Sequence, residues 1–155
     1  HTLKTEYPKI VGNLEVEVVH ISEFLSENLA NIKLKKLDKN VSFQDPCRLG
    51  RLSGIYDEPR NIIKAIDGVE LHEMQGNRAS GVCCGTSGWL SCGTYSKQIQ
   101  TARLKEAKAT GADLLITSCP KCQIHFKCAL SDRKMEEDSI IEIQDLTTLV
   151  SRCLT

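Results

Sequence analysis

A chain of 155 residues can bury one substantial core and is short for several domains. Its 20 Lys and Arg balance 20 Asp and Glu; with no basic stripe and few aromatics, this argues against nucleic acid as a partner. No run approaches the ~18 apolar residues that a membrane-spanning helix needs, and no signal peptide is legible.

Residues 1–13 are read as a linker or the tail of a preceding repeat, ahead of a single domain over residues 14–155. Residues 14–20 alternate and are β-branched, which predicts a strand. Ser22 is placed to cap the following helix, whose apolar stripe is Phe24, Leu25, Leu29 and Ile32. Residues 33–40 form a charged connector. Residues 41–44 are a short strand ended by Asp45-Pro46, with Cys47 at its carboxyl end. Helices are expected over 46–55, with Pro46 in the first turn, and over 59–66, carrying Ile62, Ile63 and Ile66. Residues 69–74 alternate as a strand, and a polar loop over 75–80 delivers Cys83-Cys84. The strongest helix signal runs from Gly93 to its stop at Gly111. Residues 113–117 are a continuous apolar run, as in a central parallel strand covered on both faces. A helix over 120–130, a strand over 139–143 and a closing helix over 145–153 complete the chain.

Strands alternating with helices predict an α/β fold: a parallel sheet with helices on both faces. In such sheets ligands sit beyond the carboxyl ends of the strands. Thirty-five residues separate Cys47 from the Cys83-Cys84 pair, and thirty-four separate the pair from Cys119-Pro-Lys-Cys122. The topology therefore brings Cys47, Cys83, Cys84, Cys119 and Cys122 to one edge. Neighbouring side chains on an extended strand point to opposite faces, so aiming two adjacent sulfurs at one object requires the turn that Gly81, Gly85 and Gly88 permit.

The eight cysteines read as thiols of a reducing, cytoplasmic compartment. A domain of this size holds together without disulfide staples, and adjacent cysteines and Cys-x-x-Cys suit thiolate ligands. Cys119 precedes a helix start, where free N–H groups stabilise negative charge, and Cys122 lies one turn on. Cys47, behind Pro46, has a similar setting. Amides around Gly85 can donate to the sulfurs. Zinc takes four ligands, usually as two pairs; Cys83-Cys84 with Cys119-Cys122 would supply them and leave Cys47 over. Five thiolates fit an iron–sulfur cluster better, although not the tight cysteine run of a ferredoxin. Both metals stay open on these grounds. Cys92 is read as a small loop residue, with an approach to the cluster as its alternative, Cys128 and Cys153 as apolar fillers of helix faces, and Trp89 as core or a wall of the site.

Cys47, then Cys83-Cys84-Gly85, then Cys119-Pro-Lys-Cys122, together with Gly111-Ala-Asp-Leu-Leu-Ile-Thr117, resemble the cysteine-rich CCG domain. That domain occurs in heterodisulfide reductase catalytic subunits and in iron–sulfur subunits of glycolate, lactate and glycerol-3-phosphate oxidising enzymes. The likeness leans to the C-terminal CCG domain of a heterodisulfide reductase catalytic subunit. It implies a Rossmann-like domain with a non-cubane [4Fe-4S] cluster whose ligands are, by position, Cys47, Cys83, Cys84, Cys119 and Cys122, with Gly85 beside it. It further implies reduction of a mixed disulfide of the coenzyme M–coenzyme B type, as in methanogenesis. The implied partners are a second CCG domain and an electron-donating ferredoxin-like, flavoprotein or cytochrome subunit. A place in the cytoplasm, or peripheral on the inner face of the membrane, goes with these. Arg48 would draw an anionic substrate unless it is an ordinary surface arginine; His125 would deliver a proton unless it is a helix histidine bonded to backbone. The family often carries His on either side of the Asp-Pro-Cys turn, where this chain has Gln44 and Arg48.

Two rival readings are an electron-relay subunit beside a flavoprotein dehydrogenase and a zinc-stabilised interaction domain. A faint internal repeat aligns residues 15–25 with 140–150 and leads us to expect another copy of the motif ahead of His1.

Overall fold

The computed structural model describes residues 1–86, 92–132 and 136–155. Among them, β1 (Lys39–Gln44), β2 (Val69–Leu71), β3 (Leu114–Thr117) and β4 (Glu142–Asp145) form one parallel sheet in the order β2-β1-β3-β4. Parallel pairing leaves each strand to be reached by a crossover, and the helices supply it: α3 (Gly50–Ser53) and α4 (Asp57–Lys64) between β1 and β2, α5 (Thr94–Ala109) between β2 and β3, and α6 (Pro120–Leu130) between β3 and β4. The chain opens with a π-turn (Thr2–Glu6), α1 (Tyr7–Val11) and α2 (Ile21–Glu27), and closes with α7 (Leu146–Cys153).

The residues of β3 are all buried, and alternation sends them to two cores. Leu114 and Ile116 pack with Val41, Phe43, Ile62, Ile63 and Leu149 on one face. Leu115 packs with Leu104, Phe126 and Ile143 on the other. The α/β sheet with helices on both faces is thus as the alternating pattern predicts, and so are α5 and α6. In register, Gln44 lies beside Thr117, and Thr117 beside Asp145. That row is the carboxyl edge.

Several expectations are corrected. Residues 14–20 form no strand; Val16 and Val19 are 68% and 41% exposed. Their alternation matches a half-buried surface, but they pair with no strand of the sheet, and β propensity without a partner is weak. The cap of α2 is His20 rather than Ser22. Its Nδ1 accepts the Ser22 N–H (3.2 Å), while the Glu23 carboxylate accepts the His20 N–H (2.7 Å). A Glu at the third helical position makes this reciprocal box available. Phe24 is 52% exposed, whereas Leu25 and Leu29 pack against the core. The helix expected over 46–55 shortens to α3, stopped by Gly54 at φ 73°, and α4 begins two residues early at Asp57. Strand β2 ends at Leu71, and β4 begins at Glu142, after a 3₁₀ turn over Glu137–Ser139.

The internal repeat is half visible. His20 and Asp145, equivalent in the alignment, both cap helices by accepting the N–H two residues on, but only the second copy has the strand. No helix among the described residues is long and apolar enough to cross a membrane.

Candidate functional site

The site begins where β1 ends. Asp45 is buried, and its carboxylate takes both terminal nitrogens of Arg60, at 2.8 and 2.9 Å, and the Arg78 N–H at 2.7 Å. Arg60 also reaches Glu73 (2.5 and 2.9 Å) and the Tyr56 carbonyl (2.7 Å), and lies over the Phe43 ring. Burial works against its charge, but the bonds to Asp45 and then Glu73 outweigh that and raise its pKa. This network fixes the turn that presents Pro46 and Cys47.

The Cys83-Cys84 loop is held from three sides. Gln44, at the end of β1, donates to the Val82 carbonyl (3.0 Å) and accepts from Arg103 Nε (2.5 Å). Arg51 of α3 donates to the Gly81 carbonyl. Ser96 of α5 donates to the Gly85 carbonyl. Gly85 sits at φ 83°, and a Cβ there would come within 2.7 Å of the Ser96 carbonyl oxygen. The expected role for this glycine therefore has a second cause: α5 packs directly on its backbone.

Cys119 caps α6 and Cys122 lies in its first turn. The sulfurs of Cys84, Cys119 and Cys122 form one hydrogen-bonded group. Cys122 is the donor, so its own pKa is driven up by Cys119 and then Cys84. The bond from Cys122 is the main cause that brings Cys119 down to about 6, against burial, with the Cys122 and Lys121 amides and the Arg48 charge assisting. The same donor leads in bringing Cys84 to about 7, against burial, with the Thr86 amide and Cys83 assisting. Cys47, Cys83, Cys84 and Cys122 line one cavity. All five sequence-identified cysteines are thus drawn to the carboxyl edge: four by that cavity, Cys119 by its bond to Cys122. They are free thiols.

Arg48 and Cys119 share the wall of a cleft of about 600 Å³ with Leu49, Leu52, Val19 and Pro120. His125 is 4% exposed and bonds to side chains instead of backbone. The Gln100 amide nitrogen can only donate, so it faces an unprotonated Nδ1 (3.0 Å), and Nε2–H is left to donate to Thr86 Oγ1 (2.8 Å). Burial, then the Lys121 charge, lowers its pKa. His125 therefore holds Thr86, whose amide bonds Cys84.

Cys153 is core, as expected. Cys92 lies in the loop just ahead of α5, as expected, whereas Cys128 is half-buried and belongs to neither core; the two meet, Sγ to Sγ, at 2.7 Å. Gly88 and Trp89 lie outside the described residues. Sequence reasoning missed Gln44 as a loop anchor, Arg60, Gln100 and Arg103. A buried side chain joining distant segments leaves no local signature, although the Arg103–Glu106 spacing hinted at one helix pair.

A parallel α/β sheet that presents cysteines from three loops at its carboxyl edge defines a thiolate-bearing redox or metal domain. The Cysteine-rich domain (CCG) family model matches residues 41–127, a span containing all five site cysteines, and the chain belongs to that family. It is 36% identical, over 97% of its own length, to a subunit of the dihydromethanophenazine:CoB--CoM heterodisulfide reductase of Methanosarcina acetivorans, of which the match covers 37%. It is 40% identical over 77% of its length to the probable iron-sulfur-binding oxidoreductase FadF of Bacillus subtilis, covering 17% of that protein. It is 36% identical over 88% of its length to the EtfAB:quinone oxidoreductase of Syntrophomonas wolfei, covering 20%. The chain thus spans well under half of these relatives. No solved structure matches it.

Proposed function

We propose that this chain is an iron–sulfur oxidoreductase domain in which Cys47, Cys83, Cys84, Cys119 and Cys122 hold a non-cubane [4Fe-4S] cluster, and that it serves a heterodisulfide reductase. The observation that carries this reading is the convergence of five free thiols, with Cys119 and Cys84 lowered to about 6 and about 7. The donor set fits the group: thiolates are the ligating species, amides of the Gly85 loop and of the start of α6 donate to sulfur, and Cys47, Cys83, Cys84 and Cys122 line one cavity, with Cys119 hydrogen-bonded to Cys122.

When bound, such a cluster supplies electrons one at a time. The reaction is R–S–S–R′ plus two electrons and two protons to RSH and R′SH, with a disulfide of the coenzyme M–coenzyme B type as substrate. Arg48, on the rim of the cleft beside Cys119, draws the anionic group of such a substrate. His125 acts as a positioning residue, since both ring nitrogens are engaged and its proton is held by Thr86. In this reading residues 1–13 lead from a preceding copy of the domain, and the electron donor is a ferredoxin-like, flavoprotein or cytochrome subunit in the cytoplasm or at the membrane face.

Similarity to the EtfAB:quinone oxidoreductase favours a second reading, a cluster that only relays electrons. Anaerobic iron and sulfide analysis, EPR, and disulfide reduction by reduced viologen in the complete protein test both. Iron and sulfide with thiol release supports the reductase; a cluster oxidised without thiol release supports the relay. Zinc without iron and sulfide overturns both.

A further inference from the structure

We propose that Cys92 and Cys128 form a second, cluster-independent redox site: a dithiol that closes to a disulfide by exchange with a small-molecule disulfide. The two lie 36 positions apart in sequence, one just ahead of α5 and the other near the end of α6, and packing of these helices sets their sulfurs 2.7 Å apart. A formed bridge requires about 2.05 Å, so closure asks little of the backbone.

The pair is asymmetric. Cys92 accepts from the Cys128 thiol, and its sulfur faces both ends of the Gln100 side-chain amide, Nε2 at 3.4 Å and Oε1 at 3.5 Å. Its residue is on the wall of an open cleft of about 760 Å³, with Lys97, Thr101, Lys105 and Asp132. Lys97 is ion-paired to Asp132 at 3.0 Å, and its charge is felt by both sulfurs. Cys128 does not line that cleft. Neither residue lines the cavity of the other cysteines; the Gln100 amide is their link to it, through His125.

Cys92 is therefore the entry sulfur and Cys128 the resolving one. The Cys92 thiolate attacks one sulfur of R–S–S–R, that bond breaks, and RS⁻ leaves and takes up the proton that Cys92 released. Cys128 then attacks the Cys92 sulfur of the mixed disulfide, expels the second RS⁻ and yields its proton to it. In sum, R–S–S–R and two cysteines give two RSH and one cystine; the pair is oxidised by two electrons and the small disulfide is reduced by two.

The test is peptide mapping of the complete, anaerobically purified protein after treatment with 2-hydroxyethyl disulfide, acid quench and alkylation with N-ethylmaleimide. The expected result is a Cys92–Cys128 linked peptide, removed by dithiothreitol, with iron and sulfide content unchanged. In C128S the probe stays on Cys92 as a mixed disulfide; in C92S labelling of Cys128 is at least about tenfold slower. Alkylation of both cysteines after treatment overturns the proposal, as do a bridge to Cys47, Cys83, Cys84, Cys119 or Cys122 and equal labelling rates in the two variants. Should either variant fail to fold, the map of the unsubstituted protein decides alone.

Discussion

Arg60 grips Asp45 with both terminal nitrogens, at 2.8 and 2.9 Å, where the two residues are 1% and 6% exposed. Removing one partner of a buried ion pair leaves the other charge uncompensated, at a cost of about 3–5 kcal/mol. D45N and R60M should each lower the urea midpoint accordingly. Because Asp45, two residues before Cys47, also holds the Arg78 amide, iron content per folded chain should fall as well. Retention of midpoint and iron in D45N would mean the pair does not set the turn.

Gly85 and Gly111 separate two costs of a side chain. Both have left-handed φ, 83° and 81°, but a Cβ at Gly111 meets nothing within 4 Å, while one at Gly85 meets the Ser96 carbonyl oxygen at 2.7 Å. G111A should cost only the backbone penalty, about 1–2 kcal/mol. G85A should cost more and displace Cys84, which iron and sulfide analysis would register in G85A alone.

The lowered pKa of His125 makes stability depend on pH. The unfolded state takes up a proton near pH ~6.5, whereas the native state, by burial and the Lys121 charge, resists until lower pH. The unfolded state therefore binds more protons in that interval. The stabilising contribution is present above about pH 6.5 and is lost as pH falls through the native value, with a slope up to about 1.4 kcal/mol per pH unit. His20, lowered first by burial, adds in the same direction. Denaturation midpoints measured from about pH 8 to 5 should decline less steeply in H125Q.

In the reduced, metal-free chain, Cys119 is a thiolate at neutral pH because Cys122 donates to it. Its iodoacetamide rate should level off above about pH 7, while an ordinary cysteine near pKa ~8.5 gains about eightfold from about pH 7 to 8. C122A removes the donor and should restore that pH dependence at Cys119. A rate for Cys119 that keeps rising to about pH 9 in the unsubstituted chain would contradict the hydrogen-bonded group. Site-resolved alkylation by mass spectrometry makes the measurement.

Much of the architecture was open to reading from residue order. Strands β1 and β3 and helices α5 and α6 carry their own signals: an apolar run between stops, a helical period ended by Gly111, a proline behind Cys119. Each is a short-range regularity that burial imposes on neighbouring residues. The convergence of Cys47, Cys83, Cys84, Cys119 and Cys122 was legible for the same reason, since parallel strands with right-sized crossovers must end on one edge. Residues 14–20 misled because alternation records a preference for half-burial without naming a partner. The side chains that hold the loops, and the meeting of Cys92 with Cys128, emerged only in three dimensions. Gln44 and Arg103 are 59 positions apart, and such a bond depends on helix docking angles that composition and periodicity do not encode.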